Sequence, residues 1–125
     1  MDSIMKKVFI AISILLLSSG SKLAAQTITD SNDAYREFVQ LANKDEDKSQ
    51  MYDALYRCYT ATYAIITHSE KTSAEYSQAM ANMKNIIAFL PNAAAYNSNN
   101  QSTGNAIKFA RAYVDVVGLS DFANG

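Results

Sequence analysis

Apolar side chains recur every three or four residues along most of this chain, and strict alternation is almost absent. A half-buried strand needs a period of two and an amphipathic helix a period near 3.6, so the pattern selects an all-α fold. The clearest case is a tyrosine series, Tyr52, Tyr56, Tyr59 and Tyr63, spaced four, three and four apart. That spacing draws one stripe along a single helix. Ile66 continues the stripe, and Met51 and Leu55 widen it. Pro occurs once and Gly four times in 125 residues, so the helices are expected to be separated by caps and polar loops.

The N-terminus reads differently from the rest. Lys6 and Lys7 precede an apolar run from Val8 to Leu17. About ten apolar residues suit a secretory signal and are too few to span a bilayer. Leu23-Ala24-Ala25 follows a polar break, and the small Ala25 suits the residue before a cut, which predicts cleavage between Ala25 and Gln26. Met5 is an alternative start. No cysteine stands at the cut, so the residue a lipid anchor requires is missing. The domains expected are therefore a signal peptide, 1–25, and a helical domain, 26–125, exported to a bacterial periplasm or beyond. Residues 1–25 hold three lysines and one aspartate, so removing them moves the net charge from −1 to −3. Such a charge excludes the basic footprint of a nucleic-acid binder. No stable membrane span remains after cleavage.

Four helices are expected in the exported part. The first covers Ser31 to Asn43, capped by Asp30 or Ser31, with Asp33 and Glu37 favoured by the positive end of the helix dipole. Tyr35, Phe38, Val39 and Ala42 form its apolar face. Lys44 to Lys48 is a charged linker that lacks the alternating oxygens and glycine of a calcium loop. Asp47 and Gln50 have capping-box spacing for the second helix, Ser49 to Thr67. Thr72 and Glu75 form a capping box for the third, which runs from Ser73 to Leu90 and stops before Pro91. Asn92 to Gly104 is a polar loop, with a helical turn at Ala93 to Tyr96. The fourth helix spans Thr103 to Val116, with Ile107, Ala110, Tyr113, Val114 and Val117 on its apolar side. Gly118 would cap it in the left-handed conformation. Ser120 then has the character of a further cap, which suggests a chain continuing into something longer.

The tyrosine stripe supports two readings. Packed rings with hydroxyls at the rim need no function beyond the fold, and the first and third helices would bury several of them. A surface of rings also suits a peptide or a sugar, which makes Tyr52, Tyr56, Tyr59 and Tyr63 the candidate binding residues. Little else in the chain suggests chemistry. His68, the single histidine, falls at a helix C-terminus, where a cation is favoured. Cys58 lies ten residues earlier, about 15 Å along a helix axis, too far for a thiolate–imidazole pair. Cys58 is best read as a small buried hydrophobe, and otherwise as half of an intermolecular disulfide. Arg36 and Arg57 are expected in surface ion pairs. Nucleophile elbows, zinc-protease motifs and glycine-rich phosphate loops are missing from the sequence. No catalytic, metal or cofactor residues are assigned, and no enzyme activity is expected.

Residues 74–92, from Ala74 through Tyr76, Ala79 and Met83 to Pro91-Asn92, resemble the second helix of a tetratricopeptide repeat. A small residue precedes an aromatic, a packed alanine follows, and a Pro-Asn closes the segment. Ile86 or Ile87 stands where that family prefers alanine, and the family's first-helix pattern is not readable upstream. Aligning Ala79 with Ala106 sets Pro91 against Gly118, a shift of 27 residues against the family's period of about 34. The resemblance covers about nineteen residues. It implies antiparallel helix pairs and a non-catalytic module that acts by protein–protein contact. The alternatives are a small helical bundle, an N-terminal structural domain that packs on a downstream part of its own chain, and a glycan binder that uses the tyrosine stripe.

Overall fold

The computed structural model describes residues 19–44, 48–119 and 122, with side chains from residue 28 onward. Its described residues form an all-α fold of five helices: α1 (Ser19–Lys44), α2 (Lys48–His68), α3 (Ala74–Ile86), α4 (Phe89–Asn99) and α5 (Thr103–Val117). The predicted signal core and the carboxylates of the first linker lie outside the described residues, as does Ser120.

The second helix is the centre. It buries Met51, Tyr52, Ala54, Leu55, Cys58, Tyr59, Thr62, Ile65 and Ile66, positions that recur every three or four residues. α1 packs along it in the antiparallel sense, since Ser31 meets Thr62 while Glu37 meets Arg57. α3 closes the other side with Tyr76, Ala79, Met83 and Ile86. α4 and α5 pack on each other and reach α2 chiefly through aromatic rings. Phe38 of α1 meets Phe89 of α4 edge to face at 5.2 Å.

α1 begins twelve residues before the expected Ser31, so neither Asp30 nor Ser31 caps it. Ser31 is instead wholly buried in mid-helix, where its hydroxyl pairs across the interface. The dipole reading of Asp33 and Glu37 falls with that cap, because the dipole acts only within the first turn. Asp33 pairs with Arg36, and Glu37 holds Arg57 through two hydrogen bonds of 3.1 and 2.9 Å. That fork draws the Glu37 carboxyl below its ordinary pKa and raises Arg57. Both pairs are solvent-exposed and add little stability.

A polar chain crosses three helices at Ser31. Thr62 donates to the Cys58 carbonyl at 2.5 Å, which leaves the Thr62 oxygen to accept from Ser31 at 2.6 Å. Ser31 in turn accepts from Asn82 Nδ2 at 2.9 Å, and the same amide donates to Asn32 Oδ1 at 2.9 Å. Each buried hydroxyl thus has partners, which removes most of the cost of taking it from water.

The third helix corrects the sequence reading at both ends. Its cap is Ser73, not Thr72: the Ser73 hydroxyl accepts from the Tyr76 amide at 3.1 Å and donates to the Glu70 carbonyl at 2.8 Å. Its end is Ile86, four residues before the expected stop. Proline clashes with the carbonyl four residues upstream, which here is Ile87. The Ile87 carbonyl accepts instead from the Leu90 amide at 3.2 Å, and the helix breaks there. Pro91 itself lies in the first turn of α4, where its missing N–H costs nothing. Proline starts a helix here rather than ending one; the helical turn expected at Ala93 to Tyr96 is part of α4, and Asn92 and Asn97 to Asn99 are helical instead of looped.

α4 closes with a Schellman turn. Ser102 N–H donates to the Asn97 carbonyl at 2.7 Å and Gln101 N–H to Ser98 at 3.1 Å. Gln101 occupies the left-handed region at φ 64°, which a Cβ disfavours. Gln101→Gly is therefore expected to stabilise the protein by about 1 kcal/mol. A higher urea midpoint with unchanged slope is the result to look for, and a lower midpoint would refute it. Gly118, by contrast, stays right-handed at φ −79°, with its N–H on the Val114 carbonyl at 3.0 Å, so the expected left-handed cap is not formed.

The orientation of α5 reverses the expected one. Phe109, Ala112 and Val116 face the core, whereas Ile107, Tyr113, Val114 and Val117 are exposed. Phe109 is the largest apolar side chain of the helix, and inward it completes the ring cluster of α2. The smaller aliphatics face out as a consequence.

Candidate functional site

The four candidate tyrosines lie on one helix, and the structure brings them together as a ladder. Tyr63 stands 5.6 Å from Tyr59, and Tyr59 stands 5.5 Å from Tyr56. Tyr56 meets Phe109 edge to face at 5.5 Å. Tyr52 adjoins Phe109 at 6.2 Å and Tyr96 at 5.2 Å. These separations fall in the range where aromatic pairs attract beyond simple area burial. The rings that cover the stripe come from α4 and α5. Sequence patterning does not single out Tyr96 or Phe109, because Tyr96 falls in a short helical turn inside a polar stretch and Phe109 off the expected apolar side of its helix.

Burial divides the ladder into two kinds of residue. Tyr52 and Tyr59 are buried, and Tyr56 and Tyr63 are half-buried. Burial pushes the Tyr59 hydroxyl well above its ordinary pKa, helped by the charge of Asp115. Tyr52 is raised for the same reason, with Tyr96 contributing. Both phenols stay neutral hydrogen-bonding groups at physiological pH. The Lys108 ammonium lies 4.1 Å from the centre of the Tyr56 ring. This cation–π contact covers one face of Tyr56 with the protein's own charge. Neighbouring rings are tilted by 36° to 42°, so they form a stepped edge and not a flat platform.

His68 and Cys58 are both engaged within the fold. His68 is the last residue of α2, with Nδ1 2.9 Å from the Ala64 carbonyl and 3.0 Å from Thr67 Oγ1. Cys58 is wholly buried, its Sγ 3.6 Å from the Ser31 carbonyl, and desolvation raises its thiol pKa. A thiol so enclosed cannot reach another chain while the fold is intact. Among the described residues no cluster of three or more His, Cys, Asp or Glu could hold a metal ion. A shallow cleft of about 470 Å³ lies between α1 and α2, edged by Asp30, Asp33, Glu37 and Arg57. Its charged groups are largely consumed by the two ion pairs described above. No described helix is long and apolar enough to cross a membrane.

Compared with protein-family models, with curated proteins and with solved structures, the chain matches none. What the coordinates define is a small helical bundle with a tyrosine ladder along its central helix.

Proposed function

We propose that this chain is an exported, non-catalytic helical module that binds a protein or peptide through the open edge of the tyrosine ladder. One observation carries the reading: Tyr56 and Tyr63 are half-exposed and flank the buried Tyr59, while Tyr52 is buried against Tyr96 and Phe109. Rigid, partly desolvated tyrosines backed by a packed layer are the side chains that dominate protein interfaces. The module is proposed to work as helix pairs in the tetratricopeptide manner. The antiparallel packing of α1 on α2 supports this, although the segment that carries the resemblance is divided between α3 and α4. Export is proposed from the N-terminal signal, and a cut after Ala25 leaves every described core residue in the product. The glycan reading is weaker, since sugars stack on flat open faces and Lys108 already covers one face of Tyr56.

The test is a photo-cross-linking residue at position 63 in the chain recovered from the exported fraction, where sequencing should begin at Gln26. Once a partner is captured, Tyr56→Ala with Tyr63→Ala should weaken its binding roughly thirtyfold, the effect of losing about 2 kcal/mol at a hot spot. The melting temperature should fall by less than about 8 °C. A large loss of folding with no change in capture would reduce the ladder to packing alone.

A further inference from the structure

Beyond the ladder, we propose that the outward face of α5 pairs with the same face of a second copy, as an antiparallel homodimer. Ile107, Val114 and Val117 are 49%, 63% and 41% exposed, and Ala110 lies between them, also exposed. Aliphatic residues three, four and three apart form a coiled-coil seam, and on the surface of a small domain such a seam has nothing of its own to pack on. The spacing is symmetric about Ala112. A twofold axis perpendicular to the helix at that residue sets Ile107 against Val117 of the second copy and Ala110 against Val114. Large side chains then meet one another at the ends, and the small one meets a larger one in the middle.

The surface has the relief that this pairing requires. A shallow depression of about 240 Å³ is lined by Ile107, Ala110, Arg111, Val114 and Asp115. The first four stand at i, i+3, i+4 and i+7, the four corners of the hole that receives one side chain in knobs-into-holes packing. Ala110 lets Val114 of the other copy enter.

Charge selects a second copy as the occupant. Arg111 and Asp115 flank the seam on the same side, four residues apart. Under the twofold axis the order along that flank is Asp115 of the second copy, Arg111, Arg111 of the second copy, then Asp115. Each guanidinium is placed within one helical turn of the opposite chain's carboxylate. On the other flank Tyr113, 38% exposed, comes near its own symmetry mate. The face complements itself in shape, and along the charged flank the two Arg111–Asp115 approaches between copies outweigh the single Arg111–Arg111 approach at the axis.

Sedimentation of the purified protein over a concentration series tests the proposal. One helix face is a small interface, so a dissociation constant in roughly the micromolar range is expected. Val114→Asp should raise it by on the order of a hundredfold, because two unpaired carboxylates would enter the seam. Arg111→Asp should weaken the dimer, and Arg111→Asp combined with Asp115→Arg should restore it. A monomer at all concentrations would overturn the proposal, as would a dimer indifferent to Val114→Asp or a double swap that restores nothing. Circular dichroism checks that the variants fold, and if Val114→Asp does not, the charge-swap series decides by itself. Failure of the concentration series or of Val114→Asp leaves the ladder reading intact, because Val114 is exposed on the outward face of α5 while the ladder rests on α2 and the core-facing side of α5.

Discussion

Leu55→Ala is expected to lower the unfolding free energy by about 4 kcal/mol and the melting temperature by roughly 15 °C or more. Leu55 is wholly buried on α2, the helix against which α1 and α3 both pack. Removing three carbons there loses their transfer free energy and leaves a cavity. Neighbours anchored on two sides of a rigid helix cannot collapse fully into it. A domain of this size has only about 5–15 kcal/mol to lose, so the variant should be partly unfolded at physiological temperature. Val39→Ala on the exposed face of α1 is the control and should change stability by less than about 0.5 kcal/mol. Denaturant titration of the two variants decides the matter. A loss below about 1 kcal/mol for Leu55→Ala would mean that α2 is not the centre of a closed core.

Ser31→Val should cost about 3 kcal/mol, a large effect for a substitution of similar size. Ser31 passes the hydrogen-bond chain from Asn82 of α3 to Thr62 of α2. Valine deletes both bonds, leaves Asn82 with only Asn32 Oδ1, and adds a methyl group where no space is open. Ser31→Ala separates the causes, because it removes the bonds without the crowding and should cost about 2 kcal/mol. A double-mutant cycle of Ser31→Ala with Thr62→Val should show a coupling of about 1 kcal/mol, since the two hydroxyls share a single bond. Zero coupling would mean that the 2.6 Å contact between them contributes nothing.

Much of the architecture was readable from spacing. α2 falls within a residue of its expected limits at both ends, and α5 differs only at its last residue. Both have strong periodicity, and α2 carries the tyrosine series whose spacing admits no strand. The misreadings share a cause: local signals have more than one use. Ser31 has the side chain of a cap, but a hydroxyl 2.6 Å away on another helix made it a core residue. Pro91 has the effect of a breaker, but that effect is felt at Ile87, one turn upstream. Gly118 permits a left-handed cap without requiring one, and Gln101 adopts that conformation because the Schellman turn needs it.

The candidate site shows the same division. The alignment of four tyrosines on one face follows from their numbers alone, because helical geometry converts spacing into direction. That Tyr52 is closed off was decided by Tyr96 and Phe109, whose positions depend on how α4 and α5 fold back on α2. α5 states the limit most plainly. Its sequence carries one apolar stripe of Ile107, Ala110, Val114 and Val117 and another of Phe109, Ala112 and Val116 on the opposite side. Periodicity determines that both exist, since it is a property of the helix itself. Only the tertiary structure could choose which one the core takes, because that choice depends on the shape and volume of the surface that receives it. It chose the side with the ring, and left the aliphatic side to the solvent.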